Sequence, residues 1–277
     1  MAYNESAYES IYFFVDYPER KKYDTTGKTL YSGSMDLVFT CVTDIHIGSG
    51  YRDFTANNKK ILVQEVIRMN GKPVIPGSSL KGVVRGIAQA VSKSCNPDWK
   101  CKKVIEDRCI TCDMFGAMGF GSKVVFSDFV PEKEIKTVEK ELNVQFGPQK
   151  NKDGKKGYKF YQTVENRYDG AQKTQVELVP AGSEFSGRIF FNRLTEEELC
   201  LLTYSLSLNT AKEEGINLKI GGFKNEGLGE IKGRCTDFNV NNDLKKTPGE
   251  LAAGYRKQNT AVTKNMNDIE DCMRDGD

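Results

Sequence analysis

The sequence predicts an α+β fold in which two strand–helix–strand units share one sheet. Three observations carry this. Apolar residues at helical spacing, Leu80, Val83, Val84, Ile87, Ala88 and Val91, follow the β-branched run "MDLVFTCVTDIHIG" of residues 35–48, as a buried helix face after a strand would. In "GSEFSGRIFFN", Phe185, Gly187, Ile189 and Phe191 alternate with Ser186, Arg188 and Phe190, which is the period of a strand with one face in the core. Thr195 and Glu198 open "TEEELCLLTYSLSLNTAKEEG" as a capping box, with Leu199, Leu202 and Leu206 along one side. With "KVVFSDFV" as the second strand and a fourth strand entered from "GGFKNEGLGEIKGR", the order is ferredoxin-like. RNA-recognition domains use such a sheet, and so do many unrelated proteins, so the fold alone assigns no function.

The 277 residues suit one large domain with insertions or two small ones. Hydrophobic residues make up 38% and charged residues 28% of the chain, enough for a core under a polar surface. The net charge is only +2, so a nucleic-acid binder of this composition would have to cluster its cations. No segment approaches the roughly 20 apolar residues of a membrane span. The start, "MAYNESAYESIYFFVDYPERKKY", lacks the basic residues and long apolar run of a secretory signal. The expectation is a cytoplasmic protein that makes no membrane contact, and its eight cysteines should be thiols or metal ligands.

In chain order, residues 1–34 are tyrosine-rich and predict an N-terminal extension that packs on something. "SGYRDFTANNKKI" predicts a polar loop. In "VIPGSSLKGVVRGIAQAVSK", Ser78 or Ser79 is a good helix N-cap. Lys81 and Arg85, four residues apart, project together away from the apolar face. Free N–H groups, hydroxyls and cations at a helix start make a phosphate cradle; the alternative is a capped amphipathic helix with ordinary solvated cations. Residues 94–116 form a cysteine-rich insertion, and Lys133 to about Thr174 is a polar, lysine-rich hairpin arm. Residues 241–277 predict a polar C-terminal tail, mobile in part.

Cys95, Cys101, Cys109 and Cys112 follow C-x5-C-x7-C-x2-C. Four thiolates so close in sequence suit tetrahedral zinc, and with every position filled by protein the site would be structural. Chance clustering of buried thiols, or a redox pair at Cys109 and Cys112, are the alternatives. The surrounding Lys, Asp and Asn offer little apolar core, which favours a metal staple. Cys41 and Cys200 read as core thiols.

The only histidine is His46, which excludes histidine acid–base pairs and multi-histidine metal sites. There is no G-x-x-x-x-G-K-[ST] loop. "GGFKNEGLGEIKG" precedes a strand, so it is a poor dinucleotide fingerprint. Gly221 and Gly222 would instead permit close backbone approach to a phosphodiester, with Lys224 nearby; a flexible turn is the other reading.

Taken together, "DIHIGSG", "PVIPGSSLKGVVR" and "GGFKNEGLGEIKG" resemble the RAMP superfamily of CRISPR effector proteins, across about residues 35–237. More narrowly the chain looks like the backbone subunit that polymerises along CRISPR RNA in type III complexes and their relatives. That resemblance implies a palm over residues 35–240, built on the ferredoxin-like core, and a protruding thumb hairpin over residues 133–180. Such thumbs wedge between guide and target and kink the strand at regular intervals. It also implies that Ser78, Ser79, Lys81 and Arg85 grip the guide backbone, that Arg167 and Lys173 in the return arm meet phosphate, and that His46 lies near the same groove. A core histidine is the alternative for His46. The implied partners are guide CRISPR RNA, complementary target RNA, further copies of the chain in a filament, a capping subunit and a separate nuclease.

Three readings of function compete. The first is a binding subunit that positions target RNA without cutting it. The second is a metal-dependent endoribonuclease. Active type III relatives carry an aspartate shortly before the tripeptide matched here by Val66, Ile67 and Arg68, which puts it near Val63. Asn57 through Gln64 contains no carboxylate, and Asp53 lies about ten residues early. The first reading is therefore preferred, with the subtype leaning to type VII or an inactive type III-D-like member. The third is a zinc-stabilised RNA-binding domain outside CRISPR, which would need exposed aromatics in RNA-recognition spacing that the strands do not show.

Overall fold

The computed structural model describes residues 12–55, 58–97, 100–101, 107–144, 157–162, 172–208 and 216–273. Its first half runs β1 (Tyr12–Asp16), β2 (Tyr31–Cys41), β3 (Gly48–Thr55), β4 (Asn58–Val66), the short β5 (Arg68–Met69) and β6 (Lys72–Pro73), α1 (Gly77–Ala90) and α2 (Ile110–Phe115). Then come β7 (Val124–Phe126), β8 (Val138–Asn143), β9 (Gly157–Tyr161), β10 (Lys173–Leu178), β11 (Glu184–Leu194), α3 (Glu196–Ser205), β12 (Leu218–Lys219), β13 (Glu230–Val240), α4 (Pro248–Gln258) and α5 (Thr263–Met273).

The main sheet has the order β12-β13-β2-β11-β7, and every neighbouring pair in it is antiparallel. Its strand–helix–strand units are β2-α1-β7 and β11-α3-β13. The alternation expected for residues 184–191 holds: Phe185, Ile189 and Phe191 are buried. Phe185 pairs with Phe39, and Ile189 with Met35. This face packs with Leu80, Val84 and Ile87 of α1 and Leu199 and Leu202 of α3 in one core cluster. Each large apolar side chain buried there contributes about 1.5–3 kcal/mol. The opposite face carries the ion pairs Asp36–Arg188 and Arg234–Glu184 beside the exposed pair Phe190 and Val125. Helix α3 starts on the expected box: Thr195 Oγ1 accepts from Glu198 N, and a Glu198 carboxylate oxygen accepts from Thr195 N at 2.8 Å.

A second sheet has the order β3-β4-β10-β8. The segment expected as a polar loop after residue 48 is thus a strand pair, β3 against β4. Polar side chains there hid the strands, because this hairpin lies at the sheet edge and buries little. In the expected hairpin arm, β8 and β10 pair over Val138–Leu178 to Asn143–Lys173. Beneath the sheet, Leu142, Val176 and Leu178 pack with Phe223 and Leu228 from the glycine-rich loop.

Both chain ends carry regular structure among the described residues. Strand β1, in the N-terminal extension, pairs antiparallel with β9, from Tyr12–Tyr161 to Asp16–Gly157. Residues 248–273 of the tail carry the helices α4 and α5. Helix α4 carries a full capping box at Thr247 and Glu250. Leu251, Tyr255, Met266, Ile269 and Met273 are buried, and Tyr255 Oη donates to Val91 O at 2.8 Å. The tail's apolar residues are few but recur at helical spacing, and spacing outweighs count. No helix among the described residues is long and apolar enough to cross a membrane.

Candidate metal centre and nucleic-acid interface

Cys95 follows the last turn of α1, Cys109 is the N-cap residue of α2, and Cys112 lies in its first turn. Cys101 joins them from the insertion. All four sulfurs lie within 4.8 Å of one another, and none forms a disulfide. Metal–sulfur bonds of about 2.3 Å in a tetrahedron set the sulfurs about 3.8 Å apart, so the donor set closes on one ion with small side-chain adjustments. Backbone N–H groups already point at the sulfurs: Cys95 N to Cys109 Sγ at 3.4 Å and Cys109 N to Cys101 Sγ at 3.3 Å. Hydrogen bonds from Cys112 and Cys95 push the Cys109 thiol down, and the same bonds to Cys109 push Cys95 and Cys112 up, so the three sulfurs share one favoured thiolate. These residues could hold a metal ion with no position left open for a substrate.

The first helix starts differently from the expectation. Its N-cap residue is Pro76, not Ser78 or Ser79, and no side chain of its own caps it. The cap comes from afar: Asp128 Oδ1 accepts from Gly77 N at 2.8 Å. Gly77 is required because a Cβ there would collide with the Phe126 and Ser127 carbonyl oxygens. Ser78 and Ser79 therefore lie inside the first turn, Ser78 exposed and Ser79 half-buried. Lys81 and Arg85 do not share an open cationic face. Lys81 Nζ donates to Ser122 Oγ at 2.8 Å and Val124 O at 3.2 Å, and burial with Arg85 nearby pushes its pKa down. Arg85 Nη2 points at Cys112 Sγ at 3.9 Å.

His46 is only 4% exposed. Its Nδ1 donates to the Glu177 carbonyl oxygen at 2.8 Å, and its ring meets Phe223 edge-on at 5.5 Å. Burial lowers its pKa. This is the core histidine of the alternative, since the ring is hydrogen-bonded at Nδ1, meets Phe223 and is shielded from solvent. Gly221 and Gly222 make their close approach to this residue and not to open space. Gly222 N donates to His46 O at 2.8 Å, and at Gly221 (φ +81°) a Cβ would collide with that carbonyl. Lys224 is half-buried beside Lys219, and burial with that neighbour lowers its pKa. Lys219 is itself buried against Glu230 at 3.3 Å.

The three sequence blocks nonetheless meet. Gly222 N and Gly229 N bond to His46 O and Asp44 O, Ile67 N bonds to Ile47 O, and Val74 N bonds to Ile67 O on the way into α1. Lys173, at the start of β10, is exposed near this junction's sheet. Arg167 lies outside the described residues. Asp53 is exposed on β3, and its register partner on β4 is Val63. The ten residues that separate it from the expected acidic position are closed by the hairpin.

Sequence reasoning missed Arg20, Glu177 and Asp128. Glu177 holds the junction together: its carboxylate accepts from Arg68, from Thr137 and from Val66 N. Burial raises its pKa, but these bonds outweigh burial and bring it down to about 2. Arg20 Nε donates to Cys101 Sγ at 3.4 Å. No local pattern marks any of the three, because their partners lie tens of residues away.

A family model for the RAMP superfamily matches residues 38–232. No curated protein matches the chain.

Proposed function

The chain belongs to the RAMP superfamily, and on that premise we propose that it is a CRISPR effector backbone subunit that polymerises along guide RNA and positions complementary target RNA without cutting it. The observation that carries this reading is the hydrogen-bonded junction of the three blocks around His46, Ile67 and Gly222. It supports a ferredoxin-like palm with Ser78, Ser79, Lys173 and Lys224 at the groove, the β8–β10 arm as the base of a thumb over residues 133–180, and Lys81 recruited only if RNA displaces its bond to Ser122. The cysteine set is proposed to hold zinc, as its all-thiolate chemistry suits.

The test is the mass and nucleic-acid content of the purified protein. A ladder of oligomers carrying RNA of defined length is expected; a clean, RNA-free monomer that binds no added guide rejects the reading. Replacing Lys173 and Lys224 with alanine should weaken RNA binding with little sequence preference and lower the salt slope by about one to two units.

One observation favours a second reading, a metal-dependent endoribonuclease: Asp53 faces the backbone position at Val63 where an acid is expected. A carboxylate there could hold a divalent ion at the scissile phosphate. A guide-loaded filament given labelled complementary RNA and magnesium or manganese separates the two. Regularly spaced products lost in Asp53→Ala establish cleavage, and intact target establishes binding only.

A further inference from the structure

A tetrathiolate site holding a divalent ion carries two net negative charges. Cys109 and Cys112 are buried, so that charge must be balanced by protein groups and not by water. Two guanidinium groups are already aimed at the sulfurs: Arg20 Nε at Cys101 Sγ, 3.4 Å, and Arg85 Nη2 at Cys112 Sγ, 3.9 Å. We propose that Arg20 and Arg85 are the charge-balancing cations of the cysteine centre, and that through Arg20 a bound ion locks the N-terminal segment onto the body of the protein. The proposal rests on the metal-centre reading.

The lock follows from where Arg20 comes from. It stands 81 residues from Cys101 in the chain and is not part of the insertion. Its other partner, Asp107, belongs to the insertion and accepts through its carboxylate at 2.8 Å and through its backbone carbonyl, so all of these bonds depend on the fold of one short segment. The flanking backbone is tied to the same place: Lys21 N to Lys93 O at 3.0 Å and Tyr23 N to Arg108 O at 2.7 Å. In addition, Tyr158 Oη donates to Cys95 O at 3.1 Å, and the Tyr158 ring meets Tyr17 edge-on at 4.8 Å. Tyr158 lies in β9, the strand that pairs with β1. Residues 20–23 and Tyr158 thus each bond to the segment that carries the cysteines or to its flank. Arginine suits the task because it stays charged at every physiological pH and presents a fixed fork of N–H donors. Without the ion, the insertion loses its cross-link, and Cys101 and Asp107 are no longer fixed under Arg20.

The test uses the full chain as purified. Elemental analysis gives metal per chain. Hydrogen–deuterium exchange is read on residues 12–23 and 157–161 before and after chelation. Release of the ion to a coloured chelator is timed in Arg20→Gln, Arg20→Lys and Arg85→Gln. The expected results are a bound divalent ion, faster exchange in both segments once it is removed, and release at least about tenfold faster in the glutamine variants. Arg20→Lys, which keeps the charge, should recover part of the loss; a purely packing role for the side chain predicts no such rescue. If Arg20→Gln does not fold, Arg85→Gln tests charge balance alone, while chelation of the wild type tests the lock. A chain that binds no metal rejects the centre and the inference together. A bound ion whose removal leaves exchange of residues 12–23 unchanged, or whose release is unaltered in the glutamine variants, overturns the inference and leaves the metal centre standing.

Discussion

The cysteine insertion and the glycine-rich loop look alike in sequence in that each is short and rich in polar residues. They are ordered in opposite ways. In the loop, Phe223 and Leu228 anchor to a small core, and Gly222 and Gly229 spend their N–H groups on His46 and Asp44. Its donors and acceptors are matched from within the chain. In the insertion, four sulfurs and the N–H groups around them converge on a common centre, and their chemistry calls for a cation that the protein does not itself supply. A polar segment can be held by internal hydrogen bonds or by an ion, and the direction in which its polar atoms point distinguishes the two.

The largest effect that would break this contrast is removal of the ion. Cys109→Ser with Cys112→Ser, or chelation, should abolish metal binding and lower stability by several kcal/mol, because the binding energy of such sites is folding energy. Exchange protection should vanish over the described part of residues 95–112 and persist at Gly221–Gly229. Equal loss in both regions would mean that they are not independently ordered.

The converse change is Gly221→Ala. A side chain at φ +81° is strained and would also collide with the His46 carbonyl oxygen, at a cost of about 1–3 kcal/mol. Calorimetry should show the loss, with metal content unchanged.

Acid should separate the contributions within the loop junction. The His46 pKa is depressed in the folded chain, so the unfolded state takes up its proton first, and stability falls as pH drops below about 6.5. Glu177 acts next. Its folded pKa of about 2 lies below the ordinary 4.5, so its contribution is present above pH 4.5 and is lost as pH falls from there towards 2. In Glu177→Gln, measured beside the wild type by denaturant titration, the lower of these two slopes should disappear. An unchanged slope would remove Glu177 from the account.

The smallest effect is expected where neither region is touched. Asp128→Ala removes the cap of α1 and should cost about 1 kcal/mol, with metal content and RNA binding near wild type.

The sequence by itself determined what is local. The α3 capping box, the alternation of β11, the apolar face of α1 and the four-cysteine set each lie within one element or one short segment, where spacing alone fixes which side chains can meet. The same short range explains the misses. Ser78 has the chemistry of a cap, yet Gly77 lies so close to the β7 exit that Asp128 takes the role. His46 looked available until β10 and the glycine-rich loop closed over it. Arg85 meets Cys112 only because the insertion folds back towards α1. Arg20, Glu177 and the Asp53–Val63 register join positions whose partners no period connects. Propensity and pattern act over a few residues, whereas the partner of a buried charge is chosen by the packing of the whole chain.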